Sequence, residues 1–228
     1  MKIGVLLSGC GVYDGTEIQE AVLAMLAIKE ADHEYICISV DAEQHHVINH
    51  TSGEEMNESR NMLVESARIA RGDIHEMSTI APADIDAVVM PGGFGAAKNF
   101  SSWAFNGPES DIKPAVKLFL VNMINVGKPV CALCVSPVVL AKALEGSSIT
   151  ASMTLGSSAE PSPYDIKGFH AGIEKVGAKS EEAGIKEVHI DRENRIVSAP
   201  CYMQDADILE VRINIQLAIK ATIDLCEA

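Results

Sequence analysis

The chain has 228 residues, long enough for one large domain, with a net charge of -14. That charge repels phosphate backbones and anionic bilayers, so it argues against nucleic-acid and membrane partners and for a soluble protein. Hydrophobic residues make up 47% and aromatics only 4%, so the core is aliphatic, a mix that suits a sheet covered by helices.

No apolar run reaches the roughly 18 residues needed to span a bilayer. The N-terminal "MKIGVLLSG" is too short for a signal peptide, and no Arg/Ser-rich transit peptide is present. The expectation is a cytoplasmic protein, although an organelle protein without its leader would read the same way. The six cysteines are scattered and, in a reducing compartment, are expected to be free thiols.

Taken in chain order, residues 2–9 form a continuous apolar run of the kind found in parallel strands buried on both faces. Residues 16–31 have helical period, with Ile18, Val22, Met25, Leu26 and Ile28 as the apolar stripe and Thr16 as N-cap. A second strand covers 34–40, and a helix covers 57–71 with Gly72 as its stop. The third strand, 85–93, ends in Pro-Gly-Gly. A helix over 111–127 leads to a strand over 128–134, which breaks directly into a helix over 136–144. Residues 187–200 read as an antiparallel hairpin around "DREN", and a last helix covers about 205–226. Alternating strands and helices predict an α/β fold with a mostly parallel sheet, helices on both faces and a C-terminal β-hairpin. With no repeat, low-complexity stretch or linker, residues 1–228 are expected to form a single domain.

Ligands of open α/β sheets bind beyond the carboxyl ends of the strands. Three loops there are unusual: "SGCGVYDGTE" (8–17), "PGGFGAAKNF" (91–100) and "CVSP" (134–137). The glycines of the first two make a poor dinucleotide fingerprint and no P-loop. They read either as tight turns or as backbone N–H groups of Gly92 and Gly93 facing the crevice, an oxyanion-hole arrangement. Cys134 sits where a strand becomes a helix. There the helix dipole favours thiolate, and the Val135 N–H points at a developing oxyanion. Packing is the ordinary role of a cysteine in such a place.

"CALC" also admits a redox reading, but Cys131 lies inside the strand, about 10 Å from Cys134 at strand rise, too far for a disulfide. The cluster His45, His46 and His50 admits a metal site, though no cysteine or carboxylate pattern joins it. His189 and Asp191 share a strand face and could orient an imidazole, but within the hairpin.

The whole chain resembles the ThiJ/PfpI superfamily, with its class I amidotransferase-like, flavodoxin-like three-layer fold. It is most similar there to the ElbB-type group of isoprenoid (lycopene) biosynthesis-enhancing proteins or glyoxalases. The resemblance rests on residues 8–18, 47–74, 91–101, 127–137 and 196–203. It implies that Cys134 is the elbow nucleophile, that Glu17 is the acid leaning toward it from the first helix, and that Gly93 and the Val135 N–H contact the oxyanion. It further implies a glyoxalase-like lyase acting on a small dicarbonyl with no metal or other cofactor, and a homodimer.

The family's histidine shortly after the elbow is missing from residues 134–156. Amide hydrolysis needs such a base to make thiolate and to protonate the leaving amine; aldehyde chemistry needs less. The expected reaction is thiolate addition to glyoxal, with Glu17 sharing a proton with Cys134 and moving it between adjacent carbons. The rival readings are an oxidation sensor or regulatory binding protein using the same pocket, and a glutaminase-like subunit.

Overall fold

The computed structural model describes residues 1–228. The apolar runs become nine strands: β1 (Lys2–Leu6), β2 (Glu34–Ser39), β3 (Ile74–Glu76), β4 (Ala87–Met90), β5 (Val130–Leu133), β6 (Ser152–Met153), β7 (Lys179–Ser180), β8 (His189–Asp191) and β9 (Ile196–Ala199). Seven of them form one sheet in the order β3-β2-β1-β4-β5-β9-β8, parallel except for β8 against β9. Every residue of β4, β5 and β9 is buried, as is β1 after Lys2. This is why these strands read as continuous apolar stretches: both faces of the sheet are covered.

The covering helices are α1 (Ile18–Glu30), α2 (Met62–Ile69), α3 (Trp103–Asn106), α4 (Pro114–Asn125), α5 (Pro137–Leu144), α6 (Ile166–Lys175) and α7 (Ile208–Glu227). α1 packs on α7, and α4 on α5. From β1 the chain crosses through α1 to β2; from β4 it crosses the opposite way through α4 to β5. Right-handed crossovers in opposite directions place α1 and α4 on opposite faces. The reversal between β1 and β4 is the switch point at which such sheets open a crevice, and the loops after β1 and β4 flank it.

The structure departs from the sequence reading in phase and in small elements. The helix predicted over 57–71 starts only at Met62, because the Asn61 side chain caps it by accepting from the Val64 N–H at 3.0 Å. In α1 the buried face is Ala21, Ala24, Met25, Ala27 and Ile28, whereas Ile18, Val22 and Leu26 are exposed. Thr16 does not cap α1: its hydroxyl is buried, accepting from the Ser8 N–H at 2.7 Å, and Glu17 caps instead. The edge strand β3, the separate β6–β7 pair and α6 are additional to the predicted elements.

One buried side chain ties the crevice loops together. Asn99 donates from Nδ2 to Ser8 O and Asp14 O, both at 2.8 Å, and accepts the His45 N–H at 2.8 Å. Asn99→Ala leaves two buried carbonyls and an N–H without partners, and should cost roughly 2–4 kcal/mol of stability, read as a lower denaturant midpoint at unchanged slope. A change below about 0.5 kcal/mol would show that water replaces the side chain.

Candidate functional site

β5 passes into α5 through a three-residue turn, 134–136, and the reversal falls on Cys134, whose φ is +57°. A left-handed non-glycine residue costs about 1–3 kcal/mol and persists only where its surroundings fix it. Here the Cys134 N–H donates to Ala199 O at 2.9 Å, extending the β5–β9 ladder, and the Ser136 N–H donates to Leu133 O at 3.0 Å. The buried Ser136 hydroxyl donates to Pro91 O at 2.7 Å, tying the elbow to the loop after β4. The outcome is a sulfur faced by the N–H groups of Gly93 and Val135.

The loop after β4 is all backbone where it meets the elbow. A side chain on Gly92 would run into the Cys134 side chain and into Glu20 Oε2. Gly93 has φ +97°, and a Cβ there would strike the backbone at Gly15–Glu17. The loop is held against its neighbour by Glu17 N–H to Gly92 O at 2.9 Å and Phe94 N–H to Val12 O at 2.7 Å.

The carboxyl that meets the sulfur is Glu20, not Glu17. Glu20 is fully buried in the first turn of α1 and hydrogen-bonds to the Cys134 thiol. Its Oε2 accepts the Gly92 N–H at 2.8 Å, and its Oε1 accepts the Tyr202 N–H at 3.4 Å. Glu17 is turned back on its own helix as N-cap, accepting the Glu20 N–H at 2.6 Å. It lines the cavity beside Cys134 without being the thiol's partner. The resemblance points to Glu17, but the alanine-rich face of α1 points inward, and Glu20 lies on that face. Gly92 also departs from its expected role, since its N–H is committed to Glu20 and does not face an oxyanion.

Burial, and next the charge of Glu17, push the Glu20 carboxyl up to about 8 against the pull of the Gly92 N–H. Burial, and next the Glu20 carboxylate, push the Cys134 thiol well above its ordinary value, against the pull of the Gly93 and Val135 N–H groups. The expectation of a free low-pKa thiolate is therefore corrected. The two groups titrate as one pair holding protons at neutral pH.

A cavity of about 20 Å³ opens on the sulfur, lined among others by Glu17, Gly93, Val135, Tyr164 and Tyr202. That is about the space of one water molecule, so only a small reacting group reaches the thiol. No histidine is among its lining residues. Tyr164 and Tyr202 escaped the sequence reading because they arrive from irregular segments without a spacing pattern. Burial and Cys134 raise the Tyr164 hydroxyl, and burial with Glu17 takes Tyr202 up to about 12, its hydroxyl donating to Gln19 Oε1.

The other candidates stand apart. Cys131 lies in the core of β5, where burial takes its thiol up to about 12, and all six cysteines are free. His189 Nε2 lies 2.8 Å from Ser152 Oγ, while Asp191 accepts the Ser152 N–H at 2.8 Å and bonds Asn194. They knit the edge hairpin to β6 and do not line the Cys134 cavity. His45 and His46 pack on Phe105, with ring centroids 4.4 and 5.5 Å away, and His50 stacks on Tyr13 at 4.9 Å, so the three imidazoles form aromatic contacts.

A model of the DJ-1/PfpI family matches residues 10–160. The ES1 protein homolog, mitochondrial, of Rattus norvegicus is 36% identical over 225 residues, covering 98% of this chain and 84% of that protein. The human mitochondrial glutamine amidotransferase-like class 1 domain-containing protein 3 is likewise 36% identical over 225 residues, covering 98% and 83%. The crystal structure of an isoprenoid biosynthesis protein with amidotransferase-like domain from Ehrlichia chaffeensis matches with a TM-score of 0.88 at 33% identity, over 98% of this chain and 99% of that one. Both animal relatives are named as mitochondrial proteins, which overturns the cytoplasmic expectation.

The raised Glu20 carboxyl has a consequence for stability. An unfolded glutamate loses its proton near 4.5, whereas folded Glu20 keeps it to about 8. Between those values the unfolded chain binds fewer protons, so stability should fall as pH rises through the window. The cost is absent below pH 4.5 and complete above about 8, of the order of 5 kcal/mol at about 1.4 kcal/mol per pH unit. Denaturant unfolding of wild type and Glu20→Gln from pH 4.5 to 9 should show the variant gaining relative stability steadily. Parallel profiles for the two proteins would mean that Glu20 is ionised throughout.

Proposed function

The chain belongs to the DJ-1/PfpI family, and on that premise we propose that it is a cofactor-independent glyoxalase that converts glyoxal or a similar small dicarbonyl to a hydroxy acid through a cysteine hemithioacetal. The observation that carries this reading is the hydrogen-bonded Cys134–Glu20 pair under the Gly93 and Val135 N–H groups. Such a pair supplies a nucleophile, a proton carrier and an anion site within one small cavity.

The reaction proceeds without an external oxidant. In the population whose Glu20 is ionised, a minority at neutral pH, the Cys134 thiol passes its proton to that carboxylate as its sulfur bonds to one aldehyde carbon. The carbonyl electron pair moves to oxygen, where the Gly93 and Val135 N–H groups stabilise it. Glu20 then protonates that oxygen, giving a hemithioacetal. The Glu20 carboxylate removes the proton on the thiol-bearing carbon and returns it to the neighbouring carbon through an enediol. The first carbon is thereby oxidised by two electrons and the second reduced by two. Water adds to the resulting thioester, the carbon–sulfur bond breaks, and the hydroxy acid leaves as the thiol regains its proton. Glyoxal plus water gives glycolic acid.

The cavity favours this chemistry over its rivals. Amide hydrolysis lacks a histidine to protonate the amine. An oxidation sensor needs an exposed thiolate, whereas Cys134 is 6% exposed with its thiol pushed up by burial.

Glycolate formation from glyoxal should vanish in Cys134→Ser and fall about 10²–10⁴-fold in Glu20→Gln. Glu17→Gln should keep most of it, the reverse of the order implied by Glu17 as carrier. Equal glyoxal consumption by wild type and Cys134→Ser would rule the reaction out.

We also propose a homodimer formed through α1 and α7. These neighbouring helices present Val22 and Leu26, 46% and 42% exposed, beside Ile213 and Leu217, 54% and 39% exposed. Exposed large aliphatics on two packed helices suit a self-complementary interface. Sedimentation at micromolar concentration should give a dimer for wild type and a monomer for Leu26→Glu/Ile213→Glu. A monomeric wild type would remove the proposal.

A further inference from the structure

Beside the small cavity at Cys134 lies a much larger cleft of about 590 Å³, the size range of small-molecule sites. Phe94, Val135 and Phe169 line both spaces, so the cleft is the antechamber of the sulfur. Its walls are largely apolar, with Phe94, Ala97, Trp103, Pro108 and Phe169 among them, and they carry one cationic side chain, Lys98.

Lys98 is half-buried, and its Nζ lies 5.7 Å from the centroid of the Phe94 ring. No carboxylate lies within 4.0 Å of it, as is true of every lysine except Lys29, Lys128, Lys142 and Lys220. Its one hydrogen bond is to the Tyr13 carbonyl, at 2.8 Å, leaving two protons of the ammonium unassigned. Asp14 and Glu55 act on it only from a distance, and Asp14 already accepts the Ile48 N–H at 2.7 Å. Asp165 lines the same cleft but is committed to the Gly168 N–H at 3.0 Å as the cap of α6. A half-buried ammonium with free donors on an apolar wall offers an anion a partner.

We propose that the cleft binds the carboxylate end of a small oxo acid, anchored by the Lys98 ammonium, and presents the carbonyl end of that ligand past Phe94 and Phe169 to Cys134. A single ammonium suits a singly charged carboxylate better than a phosphate dianion, which calls for several converging donors. The apolar walls suit a short carbon chain between the two ends. This extends the dicarbonyl reading to a carboxylated substrate class. It rests on that reading only for what happens at the sulfur, since binding at Lys98 stands independently of turnover.

Trp103, the only tryptophan of the chain, lines the cleft and reports its occupancy by fluorescence. Wild type, Lys98→Gln and Lys98→Arg are titrated with 4-oxopentanoate and with its neutral counterpart 2-pentanone. The glutamine keeps a donor for the Tyr13 carbonyl while removing the charge, so loop damage and charge loss separate. The expected result is saturable 4-oxopentanoate binding by wild type, at least about tenfold weaker in Lys98→Gln, largely kept in Lys98→Arg, and no difference between the proteins for 2-pentanone. Equal 4-oxopentanoate affinity in wild type and Lys98→Gln, or no binding to wild type, overturns the anion site. Glyoxal turnover by the wild type tests the thiol chemistry separately: no turnover with 4-oxopentanoate binding intact would sink the reaction and leave the site.

Discussion

The site depends on burying a carboxyl group against a thiol. Glu20 has no access to water, and an ionised carboxylate in such a place is costly unless it is fully hydrogen-bonded. The protein supplies two backbone N–H groups, from Gly92 and Tyr202, and the Cys134 thiol. Those three partners arrive from the loop after β4, the segment after β9 and the end of β5, so the carboxyl can be accommodated only where the three strand ends converge. The glycines follow from the same constraint: Gly92 must bring a bare N–H to Glu20 while passing the Cys134 side chain, and no other residue is small enough.

The same burial decides the chemistry. Backbone N–H groups pull the thiol toward ionisation, while desolvation and the neighbouring carboxyl push it the other way, and desolvation is the largest influence. The elbow therefore holds a protonated thiol, which in the proposed reaction passes its proton to Glu20 once that carboxyl has ionised. In the proposed reaction the buried thiol becomes nucleophilic when a carbonyl group fits the small cavity, and in the proposed binding mode the wide cleft selects by charge and shape while the narrow cavity admits only the reacting carbon.

Much of the fold was legible because buried parallel strands leave continuous apolar runs and the glycines punctuate them. The hairpin over 187–200 showed itself through alternation on either side of a polar turn, and β8 and β9 stand there. Elements of two or three residues such as β3, β6 and β7 carry too little pattern to be seen. The phase of α1 was not legible, because its buried face is mostly alanine while Val22 and Leu26 lie outside. Taking the large aliphatics as the inner stripe rotated the helix and left Glu20 unnoticed, while Glu17 entered through the family resemblance. The elbow itself was visible in the abrupt passage from "PVCALC" to "SPVVL", since Cys134 falls at the junction. Its protonation was not, because no sequence pattern reports how completely three loops exclude water.

The pairing of Glu20 with Cys134 is tested most directly by infrared difference spectroscopy of the wild-type protein against Glu20→Gln as pH is raised. A protonated, buried carboxyl stretch should be present at neutral pH, be missing in the variant, and disappear with a midpoint near 8. A carboxylate signal from Glu20 already complete at pH 6 would contradict the shared-proton account, and with it the chemistry assigned to the elbow.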